Sequence, residues 1–294
     1  MKDYVAENER ILNEWCEKFV EEKKHDEAYR GYEIKRYFAR DGIMNTGEKF
    51  RIDNNGTVWR ETSGLENINW NECPLRVLFL TKDENTDGNE AWDLREETFY
   101  AKRYGLPPHN KAISGSFFYQ NEACLLYGLL NTHPTENGLI KYNAFSWEDV
   151  LKLSNQKIFA RINCKKEVGY STISNIDLEN AINKYKEYLE AQILNLDADV
   201  LVCCGSQSGK NVILDTVLKI YKDEFVYVDC VEDKGTGMHY NAKRNILAID
   251  AYHLAYIYNG HLEARYYETV GMYYEFLKYL KRTKNIDFSA SHRI

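Results

Sequence analysis

From Pro74 onward the chain alternates short apolar runs with helix-length amphipathic stretches, and that alternation limits the possible folds more than any other feature. Strands covered on both faces read as unbroken apolar runs, and helices between them return the chain so that successive strands lie parallel. The strand candidates are 76–81, 157–164, 200–204, 225–228 and 245–251. Helices fit between them at 117–131, at 147–153 behind a Ser146 cap, at 178–196 behind an Asp177 cap and at 209–221, with a last one at about 266–284. The pattern predicts a three-layer α/β/α fold around a central four-stranded parallel sheet in residues 74–294.

Residues 1–73 have a different texture and read as an N-terminal extension. Residues 4–40 are charged, with Leu12, Trp15, Phe19 and Val20 at helical spacing, which predicts one or two amphipathic helices. Two short segments, 49–53 and 57–61, flank Asn54-Asn55-Gly56, a turn that tolerates positive φ, and so predict a hairpin.

Composition excludes several classes. A chain of 294 residues with 44% hydrophobic content can bury a substantial core, which rules out intrinsic disorder. No run approaches the length of a membrane span, and the opening MKDYVAENER lacks an apolar signal core, so a cytoplasmic protein without membrane contact is expected. Seven cysteines, scattered and without any CxxC or CxxH element, fit a reducing compartment and give no metal or cluster site. A net charge of −7 argues against a protein that coats nucleic acid, because such binding draws on Lys and Arg. An enzyme that visits DNA briefly needs only one positive face, and basic residues do gather, at Lys165-Lys166 and Lys243-Arg244 among others.

Two features bear on chemistry. Gly205-Ser206-Gln207-Ser208-Gly209-Lys210-Asn211 follows a strand and opens a helix, but its glycines are one residue too close for a P-loop, and Asn211 replaces the magnesium-binding hydroxyl. Its amides, with Lys210, still suit a phosphate. Open parallel sheets bind ligands at the carboxyl ends of their strands. Those ends carry Thr81-Lys82-Asp83-Glu84-Asn85, Asn163-Cys164-Lys165 and Asp250-Ala251-Tyr252-His253, so a carboxylate, an amide and an imidazole are expected along one edge. Each of these residue types also has an ordinary use as a helix cap, a turn former or a core histidine.

The set taken together resembles the uracil-DNA glycosylase-like superfamily over about residues 74–282. The resemblance rests on Val77-Leu78-Phe79-Leu80-Thr81-Lys82-Asp83, on Ile162-Asn163-Cys164-Lys165, on the stretch from Leu196 to Gly205 after a long helix, and on Asp250-Ala251-Tyr252-His253, all in family order and spacing. The chain departs from the pattern at Thr81, where the family loop begins with Gly, at Glu84, where it carries Pro, and at Leu254 and Ala255, where Pro and Ser follow the histidine.

The resemblance implies a monofunctional DNA glycosylase. Such an enzyme flips a uracil-like or modified base out of DNA and hydrolyses its N-glycosidic bond to leave an abasic site, in repair or in defence against foreign DNA. By the same resemblance, Asp83 orients water and stabilises the cationic sugar, with Glu84 as the alternative acid. His253 donates to the leaving base, and Asn163, with Asn85, binds it. Trp92 and Phe99 offer aromatic faces for stacking, and Phe117 and Phe118 do so less well because their helical spacing suits a core. Lys165, Lys166 and Lys210 are expected on the DNA, and Leu254 and Tyr256 in the gap left by the flipped base. No cofactor and no metal are implied, and the enzyme is expected to act as a monomer. Two alternatives stay open: an N-glycosidase of free nucleosides or nucleotides on the same fold, and a catalytically inactive nucleic-acid-binding protein.

Overall fold

Residues 1–294 are described by a computed structural model except 47–48, 55–57, 84–85, 87–88, 98–116, 170–171, 207–208, 230–236, 257–261, 285, 287 and 289–294. In chain order the strands are β1 (Gly42–Ile43), β2 (Phe50–Ile52), β3 (Val58–Arg60), β4 (Val77–Thr81), β5 (Ala160–Asn163), β6 (Val200–Ser206), β7 (Val226–Tyr227), β8 (Met238–Asn241) and β9 (Ile246–Tyr252). The helices are α1 (Tyr4–Lys23), α2 (Glu66–Glu72), α3 (Phe117–Asn131), α4 (Trp147–Gln156), α5 (Asn175–Lys184), α6 (Lys186–Leu196), α7 (Val212–Ile220), α8 (Leu262–Tyr266) and α9 (Met272–Lys284).

The apolar runs become the parallel centre of the sheet, in the order β5-β4-β6-β9. Three short antiparallel strands widen it to seven: β1 beside β5, then β8 and β7 beyond β9. The sheet is therefore wider than the four strands expected, and the segment at 225–228 forms an antiparallel edge rather than a parallel member. The predicted hairpin forms as β2 and β3, with Phe50 opposite Arg60.

Period-two alternation sends neighbouring strand residues into opposite layers. Val77, Phe79 and Val202 face a core shared with Leu126 of α3 and Phe276 of α9. Leu78, Leu80 and Leu201 face a second core built with Leu189 and Ile193 of α6 and with Leu12, Trp15 and Phe19 of α1. This is the three-layer α/β/α arrangement. Residues from the first seventy-three are built into it, since α1 supplies part of one outer layer and β1 one strand of the sheet.

Local chemistry explains the helix boundaries. Ser146 and Asp149 form a reciprocal capping box on α4. The helix expected at 178–196 is two helices: Ser174, not Asp177, caps α5, and the backbone breaks at Tyr185 (φ −120°, ψ 29°) before α6. Tyr185 is buried beside Trp15 and donates its hydroxyl to Glu22 at 2.8 Å, a packing demand that outweighs helical continuity. Asn211 caps α7 by accepting from the amides of Ile213 and Leu214. Among the described residues, no helix is long and apolar enough to cross a membrane.

Candidate functional site

The parallel strands deliver their carboxyl ends to one edge, and Thr81 of β4 lies in register with Asn163 of β5 there. The Thr81 hydroxyl donates to Asn163 Oδ1, and the Asn163 backbone amide donates to Asp41 Oδ2 at 2.8 Å. Asn163 is only 3% exposed, and among the described residues its Nδ2 has no hydrogen-bond partner. A buried amide held by its oxygen thus keeps its donor side for something else.

Asp83 stands two residues beyond β4, its carboxylate mostly buried and 3.4 Å from Lys165 Nζ. Burial pushes its pKa up, while Lys165 and then Lys82 pull it down. Lys165 is anchored in turn, donating to the carbonyl of Glu167 at 2.7 Å. The backbone at Gly169 approaches so closely that a Cβ there would lie 2.1 Å from Asp83 Oδ2.

His253 follows β9. Burial lowers its pKa to about 4, and the Lys82 cation acts in the same direction, so the ring is neutral at physiological pH. Its Nδ1 accepts from the Ala255 amide at 3.3 Å, which places the proton on Nε2 and makes that nitrogen a donor. The ring is 6.0 Å from that of Phe118, at the start of α3. Beside it is a small hollow bordered by Asn121, Tyr252, Tyr256, Arg265 and Glu268. There the rings of Tyr252 and Tyr256 stack at 5.4 Å, and the Arg265 guanidinium lies 4.0 Å from the Tyr252 ring centre.

Asp83 and Asn163 thus belong to adjacent strand ends, and His253 to the same edge with β6 between. Lys82 links the two sides, because its charge acts on both Asp83 and His253. No protein-family model matches the chain, and no curated protein matches it. Among the described residues, no group of three His, Cys, Asp or Glu is placed to hold a metal ion.

The other expected site residues fare differently. Glu84, Asn85 and Phe99 lie outside the described residues. Trp92 donates its indole N–H to Glu97 at 2.7 Å and packs 6.2 Å from Trp59 of the hairpin, so its ring is already engaged. Lys165 turns inward to Asp83. Lys166 is a correction: it is buried, ion-paired with Asp41 and 5.1 Å from the Trp15 ring centre, so it presents no charge to a phosphate. Leu254 is likewise corrected, being 2% exposed in the core rather than projecting as a wedge. Tyr256 is exposed, and so is Lys210, which pairs with Glu179 at 3.0 Å.

One feature was ranked low from the sequence and another was missed. Phe118, a lesser stacking candidate because its spacing suits a core, packs partly buried against that core and also lies beside His253. Beneath it, Arg161 of β5 is buried between Glu122 and Glu97, with its guanidinium carbon 5.3 Å from the Phe118 ring centre. A charged residue inside an apolar strand was the available signal, because Arg is almost never fully buried unless paired.

Proposed function

We propose that this protein hydrolyses the N-glycosidic bond of a uracil-like or modified base in DNA. The observation that carries the reading is the shared strand edge: a partly desolvated carboxylate at Asp83, an amide donor at Asn163 and a neutral imidazole donor at His253. Breaking a base–sugar bond develops positive charge on the sugar and negative charge on the base. Asp83 meets the first requirement, as an anion that orients water and faces the cationic sugar. His253 meets the second, since a neutral ring with Nε2–H stabilises a departing anion through a hydrogen bond without a full proton transfer. Asn163 Nδ2 supplies a donor for a carbonyl on the base, and Phe118 an aromatic surface beside His253.

A second reading keeps the bond cleavage and changes the substrate to a free nucleoside or nucleotide. It is favoured by the fate of the expected DNA contacts: Lys166 and Leu254 are buried, and Lys165 faces Asp83. Incubation with DNA carrying a panel of modified bases, and in parallel with the matching nucleosides, separates the two. DNA cleavage predicts free base plus alkali-labile sites. Release from nucleosides alone selects the second reading, and release from neither removes both.

A further inference from the structure

A buried polar network joins the N-terminal segment to Asn163. Asn8 of α1, Asp41 beside β1, Gln192 of α6, Lys166 and Asn163 are each no more than 3% exposed. Asp41 is their hub. Its Oδ1 accepts from Gln192 Nε2 at 2.8 Å, while its Oδ2 accepts from both the Asn163 backbone amide, at 2.8 Å, and Lys166 Nζ. Its own carbonyl accepts from Asn8 Nδ2 at 2.8 Å, and Asn8 Oδ1 accepts from Gln192 at 3.0 Å. The neighbouring residue has to be glycine: Gly42 has φ +133°, and a Cβ there would lie 2.5 Å from Asn8 Nδ2.

The network fills a gap in the backbone pairing at the Asn163 amide. β1 pairs with β5 at Gly42–Arg161 and Ile43–Ala160, and backbone bonds continue on either side, from the Met44 amide to the Phe159 carbonyl and from the Ala39 amide to the Lys166 carbonyl. At the next hydrogen-bonding position a side-chain carboxylate takes over from the strand, and a charged acceptor holds an amide more strongly than a carbonyl does. The same carboxylate grips Lys166, so it clamps both ends of the segment 163–166. Between those ends lies Lys165, the countercharge of Asp83.

We infer that Asp41 is a positioning residue: through its grip on the Asn163 amide and on Lys166, it sets where the Asn163 side chain meets the base. This makes the N-terminal segment a working part of base recognition. The inference rests on the reading that Asn163 contacts the base.

The test uses the full chain carrying Asp41→Asn together with Lys166→Met, so that no unpaired lysine is left buried, with and without Asn163→Ala. Two quantities are read: amide hydrogen exchange at residue 163, and single-turnover base release from DNA. The expected result is exchange at 163 faster by about tenfold or more with β4 and β6 unchanged, and release slower by roughly 10–100-fold, the scale of a small misplacement. In the Asn163→Ala background the Asp41 and Lys166 changes should slow release no further, because a residue acting only through Asn163 is not additive with it. Unchanged exchange at 163, or an equal loss in both backgrounds, overturns the inference. If the wild-type protein releases no base from any substrate, the reading of the site fails, and the exchange result alone still decides whether Asp41 holds Asn163. Should the double change unfold the chain, Lys166→Arg, which retains the cation but displaces the carboxylate, is read in the same way.

Discussion

At the residue scale, the proposed chemistry requires Asp83 charged and His253 neutral in a partly dry place. Asp83→Asn keeps the shape and removes the charge, and should lower single-turnover base release by roughly 10²–10⁴-fold with binding retained. Because Lys165 holds the Asp83 pKa down against burial, Lys165→Met should raise it further and move the acidic limb of the pH–rate profile to higher pH. A limb that stays in place, or moves to lower pH, assigns it to another group. His253 has the opposite linkage. Its folded pKa of about 4 lies below the unfolded value near 6.5, so acidification protonates the unfolded chain first. Stability from this residue is complete above the unfolded value and is lost as pH falls toward about 4, and His253→Ala should flatten that part of a melting-temperature profile. All three candidate residues were legible because strand ends are readable in an apolar pattern. Lys166 was not: a Lys-Lys pair looks solvated, yet the chain turns Lys165 toward Asp83 and Lys166 into the core.

At the element scale, β5 carries a buried charge group, since Arg161 is buried against Glu97 and Glu122. Removing one partner of a buried ion group leaves the others uncompensated, so Arg161→Met should destabilise the fold by about 3–5 kcal/mol in denaturant unfolding. A loss under about 1 kcal/mol, the range of exposed pairs, would show that the group is solvated. The long strands and capped helices were readable from local pattern, as in α3 and in α4 behind Ser146. What local pattern missed depends on distant partners. β1 is only two residues long and exists by pairing with β5, β8 lies outside every predicted strand, and the break at Tyr185 answers to Trp15 and Glu22.

At the scale of the whole molecule, the extension and the sheet share one core and one sheet. Trp15, Phe19 and Leu12 are buried against strand residues, and each such side chain contributes about 1.5–3 kcal/mol on burial. A chain beginning at residue 74 should therefore lack a sharp thermal transition, and a truncated chain that melts cooperatively near the full-length temperature would contradict this. The proposed function draws on the same integration, with Asn163 held from the N-terminal side and His253 arriving from the far end of the chain. The most direct test is a quantitative excision assay on DNA carrying modified bases, run with the wild-type protein, Asp83→Asn and His253→Ala at matched melting temperatures. Equal amounts of free base and alkali-labile sites are expected from the wild type, with release slowed by on the order of 10²-fold or more in each variant. Base release that persists undiminished in both folded variants would contradict the proposed function, as would a folded wild-type protein that releases no base from DNA.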